Sequence, residues 1–448
     1  MSGAAVRRAA ADLLVLTLDK RRTLDEAMEA SAPFNALEGS DRGFARAIAS
    51  AALRELGRID LALAPLLSRP LEAVTPAVRA LLRAGAVQLW RLGTPEHAAV
   101  GETVEAAKNW PEARSGGKFI NAVLRRAAEK KPDLDALPAT AIWPAWLARA
   151  FLDDLGTEGA EALARAQLAE PPLFLTAKAD PAAVAAATGG DLMPSGSVRL
   201  AGAQVEMLPG YEDGDWWVQD EAAALPARLL VRSSQASQNR PPGSSEADGK
   251  SPISPPAVAS QSPALDLCAA PGGKTLQLAA AGLAVTALDR SKPRLQRLEE
   301  NFARTGLAAE VIAADAETWR PPAPVPLILL DAPCSALGTL RRHPEGAWTK
   351  REEDVARFPA VQARLLQAAL QMLAPGGVLV YCVCTPLKAE GADVVDAAIA
   401  AGHARRLPIE SQEIPGFEHS LTPAGDVLTV PADGAGHDAF FMSRLTQA

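Results

Sequence analysis

The first third of the chain repeats apolar residues at helical spacing and shows almost no strand-like alternation. Leu53, Leu56, Ile59 and Leu63 follow one another at intervals of three or four positions. This spacing predicts helices with one buried face. Prolines interrupt the pattern at intervals, as they do between helices. We therefore predict that residues 1–131 form an all-helical bundle.

The next two regions have different patterns. Residues 132–230 combine a helical stretch at 143–169 with short apolar segments at 173–175 and 216–218, which predicts a small α/β linker domain. In residues 231–264, Ser, Gln, Pro, Asn and Gly dominate. Such a segment cannot bury enough apolar surface to offset the entropy lost on ordering. We expect a disordered insertion there.

In residues 265–448, short apolar runs alternate with helical stretches. These apolar runs lie at 264–267, 284–288, 310–313, 327–330 and 378–383. Helical stretches such as 292–304 and 352–373 separate them. The order predicts a doubly wound parallel sheet with helices on both faces. Ligands bind such sheets beyond the carboxyl ends of the strands, so the chemistry is expected there.

Composition narrows the class of protein. Of 448 residues, 48% are hydrophobic and 22% are charged, which excludes a wholly disordered or collagen-like chain. The longest uncharged stretch, residues 365–387, is broken by glutamines and by a Pro-Gly-Gly sequence, which argues against a transmembrane helix. The four cysteines are too few and too clustered for a disulfide scaffold. We expect a soluble, cytoplasmic protein without a membrane partner.

The net charge of −8 is unevenly distributed. Residues 1–131 carry 20 Lys and Arg against 15 Asp and Glu, a net of +5, which leaves −13 for the remainder. The net charge of the whole chain disfavours a nucleic-acid partner, but the excess of basic residues in 1–131 favours one. Arg125, Arg126, Lys130 and Lys131 end a predicted amphipathic helix. Their alternative role is to stabilise the helix end through its dipole.

Three predicted strand ends carry residues suited to a nucleoside-containing cofactor. The first strand is followed by Cys268-Ala269-Ala270-Pro271-Gly272-Gly273-Lys274, a glycine turn that opens a helix with unpaired N–H groups. This turn matches neither the dinucleotide fingerprint nor the Walker pattern, which disfavours NAD and ATP. Asp289 is placed to accept ribose hydroxyls, and Asp315 to reach the adenine end. Each acid alone is more often a helix N-cap or a loop residue, but three consecutive strand ends with this set make coincidence less likely.

Two cysteines follow the fourth and fifth predicted strands. Cys334 lies in Asp331-Ala332-Pro333-Cys334-Ser335, and Cys384 follows the run at 378–383. If the two strands are neighbours, both thiols lie at the same carboxyl edge. An inert, buried cysteine is the common alternative, which fits Cys268 and Cys382 better. A zinc site is not predicted, because CxxC pairs are missing and the five histidines do not cluster with the cysteines.

At these residues the chain resembles a known family. Residues 266–275, 331–335 and 381–385, together with Gly338 and the Arg-Arg-His-Pro sequence at 341–344, are similar to the S-adenosylmethionine-dependent RNA cytosine-C5 methyltransferases of the Sun/NOL/NOP family. Residues 95–105 and 121–125 resemble NusB-like domains, and 218–223 resemble the family segment before the catalytic domain. The combination is similar to the bacterial RsmB branch, which acts on 16S ribosomal RNA. Apart from 231–264, nearly the whole chain is covered.

The resemblance implies roles for specific residues. Cys384 would be the nucleophile that adds to cytosine C6, Cys334 would assist product release, and Asp331 would contact the N3/N4 edge of the base or the cofactor. The residues that would hold S-adenosylmethionine are Cys268, Ala269, Ala270, Pro271, Gly272, Gly273, Lys274, Asp289, Asp315 and Asp331. No metal is implied. Predicted contacts to ribosomal RNA, free or partly assembled, are Arg341, Arg342, His343, Arg125 and Arg126. We expect a monomer.

Two positions depart from the family pattern. Val383 stands where Thr is usual, and Gly391 stands where Asn is common. They keep open a non-catalytic RNA-binding or assembly factor, although both thiols and the glycine turn favour an enzyme. A transfer-RNA substrate is another alternative, which the NusB-like region disfavours. A nicotinamide-dependent dehydrogenase is disfavoured by the missing fingerprint.

Overall fold

A computed structural model describes residues 2–238, 262–431 and 436–448. The chain divides into two units. The helical unit comprises Met1–Glu170 with Thr339–Asp354, and the sheet unit comprises Pro171–Gly338 with Val355–Ala448.

The helices and strands are as follows in chain order. The helices are α1 (Gly3–Leu18), α2 (Leu24–Ala30), α3 (Ala32–Asn35), α4 (Gly39–Arg54), α5 (Leu56–Leu63), α6 (Pro76–Trp90), α7 (Glu96–Lys108), α8 (Gly117–Lys130), α9 (Ala145–Leu168), α10 (Pro181–Thr188), α11 (Glu221–Gln238), α12 (Gly273–Ala280), α13 (Lys292–Thr305), α14 (Gly346–Thr349), α15 (Glu352–Val355), α16 (Phe358–Met372) and α17 (Ala392–Ala400). The strands are β1 (Leu173–Ala177), β2 (Asp191–Leu192), β3 (Ser197–Leu200), β4 (Trp216–Val218), β5 (Pro263–Leu267), β6 (Ala284–Asp289), β7 (Glu310–Ala313), β8 (Val325–Asp331), β9 (Leu373–Val383), β10 (Ala404–Arg406), β11 (Val427–Thr429) and β12 (Phe440–Gln447).

The helical unit is built around α1. This helix packs against α4, α6 and α7. Its central residues Ala10, Leu13 and Leu14 are fully buried, and alanines there let the neighbouring helices approach closely. Leu53 and Ile59, whose spacing predicted the bundle, lie in the same core. The predicted helical bundle is therefore confirmed, and no described helix is long and apolar enough to cross a membrane.

The helical unit extends beyond the boundary that we predicted at residue 131. Helix α9, predicted as part of the linker domain, belongs to this unit. Gln167 accepts a hydrogen bond from Trp143 Nε1 (2.6 Å) and donates one to the carbonyl of Arg54 (3.1 Å). A side chain at Gly57 would overlap the carbonyl oxygen of Ala141, so glycine permits the close approach of this segment. These contacts join residues far apart in sequence, which periodicity does not reveal.

The sheet unit contains two sheets. The smaller one is antiparallel in the order β2-β3-β1-β4, and it supplies the strands predicted for the linker domain. The larger one runs β10-β12-β9-β8-β5-β6-β7, with β11 paired to β12. Its five predicted strands, β5 to β9, are parallel as expected, whereas β12 adds an antiparallel neighbour to β9.

Helices cover both faces of the larger sheet. Alternate residues of β8 divide between two cores: Ile328 and Leu330 lie in the core with α16 and α17, and Leu327 and Leu329 lie in the core with α11. This division explains the near-continuous apolar runs of the sequence. The doubly wound α/β prediction is confirmed.

The boundary predicted at residue 231 is too early. Helix α11 continues to Gln238, so residues 231–238 are helical. Leu229 and Leu230 are buried, and the Ser233 hydroxyl donates to the carbonyl of Leu229 (2.9 Å), which satisfies this polar side chain inside the helix. Residues 239–261 of the predicted insertion lie outside the described residues.

Candidate active site

A cavity lies at the carboxyl edge of the parallel sheet. Its wall includes Cys268 after β5, Asp289 at the end of β6, Asp315 after β7 and Pro333 after β8. The sheet order β8-β5-β6-β7 brings these four strand ends together. The edge that the sequence pattern indicated therefore contains a cavity whose wall includes the predicted carboxylates Asp289 and Asp315.

The glycine turn is held against the end of β6. Ala269 N–H donates to the carbonyl of Leu288 (3.0 Å), and Ala270 N–H donates to Asp289 Oδ2 (3.2 Å). Gly272 has φ +107°, and any side chain there would overlap Leu298 of α13. Glycine is required at this position because of both its backbone conformation and the close packing. The turn directs the first N–H groups of α12 toward the carboxyl edge.

The two cavity carboxylates also organise their own loops. Asp289 is 3% exposed, and its Oδ1 accepts from Ser291 N–H (2.8 Å). Asp315 Oδ1 accepts from Glu317 N–H (2.9 Å). Each carboxylate oxygen has two lone pairs, so acceptor capacity remains after these bonds. The chemistry of the wall thus fits a nucleoside ligand, whose ribose and base present hydroxyl and amine hydrogens to acceptors.

A buried acid beneath the turn was not predicted from the sequence. Asp266 is fully buried, and Thr275 of α12 donates to its Oδ2 (2.6 Å). Burial raises the pKa of Asp266 to about 7. The sequence signal was an acidic residue inside the apolar run of β5. Because Asp266 and Thr275 flank the glycine turn, their bond fixes the start of α12 to the strand.

Lys274 contacts an acid at the end of β8. Its Nζ lies 2.7 Å from Asp331 Oδ2, and the lysine is 8% exposed. Burial alone would lower the pKa of Lys274, but the neighbouring Asp331, Cys382 and Cys384 raise it above its ordinary value. The ammonium group therefore remains charged beside Asp331. Lys274, predicted with the cofactor loop, is placed against the base-binding acid predicted from the resemblance.

The structure brings the two predicted catalytic thiols together. Cys334 Sγ and Cys384 Sγ are 3.2 Å apart, because β8 and β9 are parallel neighbours. The hydrogen bond with Cys384, together with burial, raises the pKa of the Cys334 thiol well above its usual range. Cys382 is fully buried, and burial likewise raises the pKa of its thiol. Cys334 and Cys384 are partly exposed, so their exposure distinguishes them from the buried Cys382.

A polar network that the sequence did not predict holds the loop carrying Cys334. Glu390 Oε2 accepts from Ser335 N–H (2.8 Å) and from Gln362 Nε2 (3.0 Å). Tyr381 donates its hydroxyl hydrogen to the Glu390 carbonyl (2.6 Å). Ser335 and Thr385, which directly follow the two cysteines, are joined through their hydroxyls (3.2 Å). The network fixes the two cysteine loops relative to each other.

Comparisons with known proteins agree with this geometry. Residues 257–446 match the family model described as 16S rRNA methyltransferase RsmB/F, and residues 4–129 match the NusB family. The ribosomal RNA small subunit methyltransferase B of Pseudomonas putida is 35% identical, over 98% of this chain and 98% of its own length. The protein of the same name from Xylella fastidiosa strain Temecula1 is 36% identical, over 99% of this chain and 98% of its own.

The chain belongs to the RsmB family. Its cofactor is S-adenosylmethionine, as for the methyltransferase family. Asp289 and Asp315 in the cavity wall fit the ribose and base of this group. Two solved structures share the fold. PH0851 has a TM-score of 0.72 at 20% identity and covers 100% of this chain and 99% of its own. A methyltransferase homolog protein from Pyrococcus horikoshii has a TM-score of 0.52 at 20% identity and covers 68% of this chain and 96% of its own.

Val383 and Gly391, the two positions expected to depart from the family pattern, lie against one ring. A side chain at Gly391 would place its Cβ 2.7 Å from Phe441 Cγ. Val383, which is fully buried, pairs with Phe441 across β9 and β12. Phe441 itself is 4% exposed. The apolar Val383 and the small Gly391 are therefore explained by the packing of this phenylalanine.

Gly338, one of the residues on which the family resemblance rests, lies where two loops cross. Its N–H donates to the carbonyl of Cys384 (3.0 Å), and its own carbonyl accepts from Ala439 N–H (3.0 Å). A side chain at this position would overlap the carbonyl oxygen of Ala439. Glycine thus allows the loop after Cys334 to contact the loop after Cys384 directly.

The five predicted RNA contacts differ in exposure. Arg125 and Arg126 are exposed near the end of α8 in the helical unit. Arg342 and His343 are also exposed, but Arg341 is 4% exposed. The surface of the helical unit therefore offers four of the five side chains, and Arg341 lies inside it. In the described part of the chain, no group of three or more His, Cys, Asp or Glu side chains could hold a metal ion.

Proposed function

We propose that this chain methylates C5 of a cytosine in 16S ribosomal RNA through a covalent adduct between Cys384 and C6 of the base. The names of its relatives support the RNA substrate. The observation that carries the reaction is the pair of thiols, 3.2 Å apart at the ends of adjacent parallel strands. Pro333, beside Cys334, lines the cofactor cavity.

Cysteine solves the chemical difficulty of this methylation. Carbon 5 of cytosine is a poor nucleophile, and addition of a thiolate at C6 makes it electron-rich. When bound, S-adenosylmethionine supplies an electrophilic methyl group. Cys384 forms the S–C6 bond before methyl transfer. A solvent water then accepts the C5 proton, and the C5–C6 double bond re-forms as the S–C6 bond breaks and Cys384 leaves as a thiolate.

The two cysteines have different roles in this scheme. The family resemblance assigns Cys384 as the nucleophile. Cys334 Sγ lies 3.2 Å from Cys384 Sγ and can donate a hydrogen bond to it as a neutral thiol. Cys334 lies beside the S–C6 bond that has to break, so it assists release of the methylated base. The charged ammonium of Lys274 interacts electrostatically with Cys384 and stabilises negative charge at this site.

Asp331 provides selectivity for cytosine. An ionised carboxylate accepts hydrogen bonds from the cytosine N4 amino group, whereas uracil presents an oxygen at that position. Lys274 holds the Asp331 carboxylate through a 2.7 Å ion pair. The target base must leave its stack to reach this acid and the thiols, so the substrate is a flipped or unpaired cytosine.

Two variants test the covalent step. Cys384→Ala should abolish methyl transfer to 16S ribosomal RNA, because it removes the thiol that adds to C6. Cys334→Ala should accumulate a protein–RNA adduct that survives a denaturing gel, because release is impaired. Cys382→Ala is the matched control and should still yield product. Full activity in Cys384→Ala, or a product other than 5-methylcytidine by mass spectrometry of nucleosides, would contradict the proposal.

The alternatives have separate tests. Calorimetric titration with S-adenosylmethionine distinguishes an enzyme from an assembly factor, since a factor that has lost catalysis need not bind the methyl donor. Parallel assays on 16S ribosomal RNA and transfer RNA distinguish the two substrates. Bisulfite sequencing of ribosomal RNA from a deletion strain would identify the modified nucleotide.

The end of α8 is proposed as an RNA contact of the helical unit. Arg125, Arg126, Lys130 and Lys131 are exposed there, although Lys131 also forms a 3.1 Å ion pair with Glu96. Replacing the four basic residues by Gln should weaken RNA binding and reduce its salt dependence. An unchanged salt dependence would assign this cluster to the helix dipole instead.

A further inference from the structure

A second cavity of the sheet unit has a basic wall and no assigned role. Its volume is about 410 Å³, within the range of small-ligand sites. It lies among β1, α11 and the far end of α12. Three cations, Lys178, Arg228 and Arg232, line it. Among the described residues of its wall none is acidic.

The cations of this cavity are held by neutral groups rather than by carboxylates. Lys178 Nζ donates to the carbonyl of Thr305 (2.6 Å), and Arg232 Nη1 donates to the carbonyl of Gln412 (2.9 Å). Arg83 of the helical unit, in contrast, is paired with Asp60 at 2.6 Å. A carbonyl fixes the direction of a cation without neutralising its charge. The cavity therefore retains net positive charge.

Arg228 is the most enclosed of the three cations. Its guanidinium donates to the carbonyl of Ser195 and to Ser197 Oγ (3.0 Å), which fixes its orientation. Burial lowers the pKa of Arg228 to about 10, although the charge of Glu221 acts in the opposite direction. Glu221 forms no ion pair with it within 4 Å and accepts a hydrogen bond from the Ser195 hydroxyl instead. A bound anion would stabilise this buried charge.

The charged groups of the wall fit an oxyanion. Lys178 offers a compact ammonium, and Arg228 and Arg232 offer planar guanidinium groups that can donate paired hydrogen bonds to two oxygens. Three cations around one cavity are the groups that recognise a phosphate.

We propose that this cavity binds a phosphate group of the substrate RNA strand. The inference rests on the proposed RNA methylation. Gln277 and Ala281 of the cavity wall follow the cofactor turn along α12, which begins at Gly273. At 1.5 Å per residue, the cavity lies ~6–12 Å along the helix from that turn. A phosphate held there would position the strand whose cytosine enters the active site.

The test compares a cavity variant with a matched control. Lys178→Gln combined with Arg232→Gln removes two cations of the wall. Arg199→Gln removes a cation of the same small sheet that does not line the cavity and pairs with Asp191. A labelled 16S ribosomal RNA fragment is titrated by fluorescence anisotropy over a series of KCl concentrations. The double variant should bind more weakly, and its salt slope should fall by about 0.7 for each phosphate that the protein no longer neutralises.

Kinetics provide a second readout. The double variant should raise KM for RNA and leave kcat unchanged, because the cavity holds the strand rather than the reacting base. Arg228→Lys, which keeps the charge and loses the planar fork, should show a smaller rise in KM. A salt slope and KM equal to those of the unmodified protein and of Arg199→Gln would overturn the proposal.

Two controls distinguish this inference from binding of a free nucleotide and from failure of the proposed methylation. Titration with free CMP distinguishes an RNA strand from a free nucleotide. If the unmodified protein binds CMP, the double variant does not, and the salt dependence of RNA binding is the same in both, the cavity binds a free nucleotide. That result would overturn the proposal that it holds the RNA strand. If the unmodified protein binds the fragment but makes no 5-methylcytidine, the proposed function fails, whereas the anisotropy comparison still decides whether the cavity holds RNA.

Discussion

The buried carboxyl of Asp266 makes the stability of the sheet unit dependent on pH. In the folded protein, burial raises its pKa from 3.8 to about 7. The folded state therefore keeps this proton at pH values where the unfolded state has released it. The contribution to stability is complete below about pH 4, falls as the pH rises and is fully lost above about pH 7.

The size of the effect follows from the two pKa values. Each pH unit between them is worth about 1.4 kcal/mol, so the full loss is a little over ~4 kcal/mol. Asp266→Asn mimics the protonated form. Its amide oxygen can still accept from Thr275, whereas Oδ1 of Asp266 has no partner in the described residues. The variant should therefore be more stable than the unmodified protein at pH 8, by ~4 kcal/mol beyond any difference at pH 4.

Scanning calorimetry across this pH range measures the effect. The transition of the sheet unit is identified by its upward shift when S-adenosylhomocysteine binds. At pH 8 the variant should melt on the order of 10 °C higher, and the gap should close toward pH 4. Asp213→Asn, an exposed control in the same unit, should show no such trend. A pH-independent gap between variant and unmodified protein would refute an Asp266 pKa near 7.

Three further substitutions test the site. Gly338→Ala should lower kcat more than tenfold, because the added Cβ would overlap the Ala439 carbonyl and separate the two cysteine loops. S-adenosylmethionine binding, measured by calorimetry, should be unchanged. An unaltered kcat would contradict this prediction. Gly391→Asn introduces the residue expected from the family pattern and should destabilise the folded protein by about 1–3 kcal/mol, because its side chain would clash with Phe441. An unchanged Tm would contradict this prediction. Asp331→Asn should reduce kcat/KM for cytosine-containing RNA about 10–100-fold, and equal kcat/KM values would exclude the contact to N4.

The strand ends of the active site could be predicted from the sequence because each is a local pattern. An apolar run followed by a glycine turn or by an acid is visible within ten residues. Parallel order then places such ends at one edge, which is why Cys334 and Cys384 were expected to meet, although they are 50 positions apart. The distance between the sulfur atoms depends on register, which no local pattern contains.

The supporting contacts could not be predicted because they join distant residues without a periodic signal. Glu390 and Gln362 are ordinary polar residues in the sequence, and only the folded chain shows that both hold the Cys334 loop. Strand β12 was missed for a related reason. Its residues are apolar on both faces, since Phe441 packs in one core and Met442 in the other, so neither alternation nor helical spacing marks it.

The acidic composition of the sheet unit does not by itself oppose RNA binding, because its charges are unevenly placed. Asp266, Asp289 and Glu390 are buried, and Asp331 is paired with Lys274. The cations of the second cavity, in contrast, have only neutral partners. An RNA strand responds to the local potential, and counterion release depends on the phosphates contacted. Affinity for RNA should therefore fall as salt rises, although the chain carries a net charge of −8.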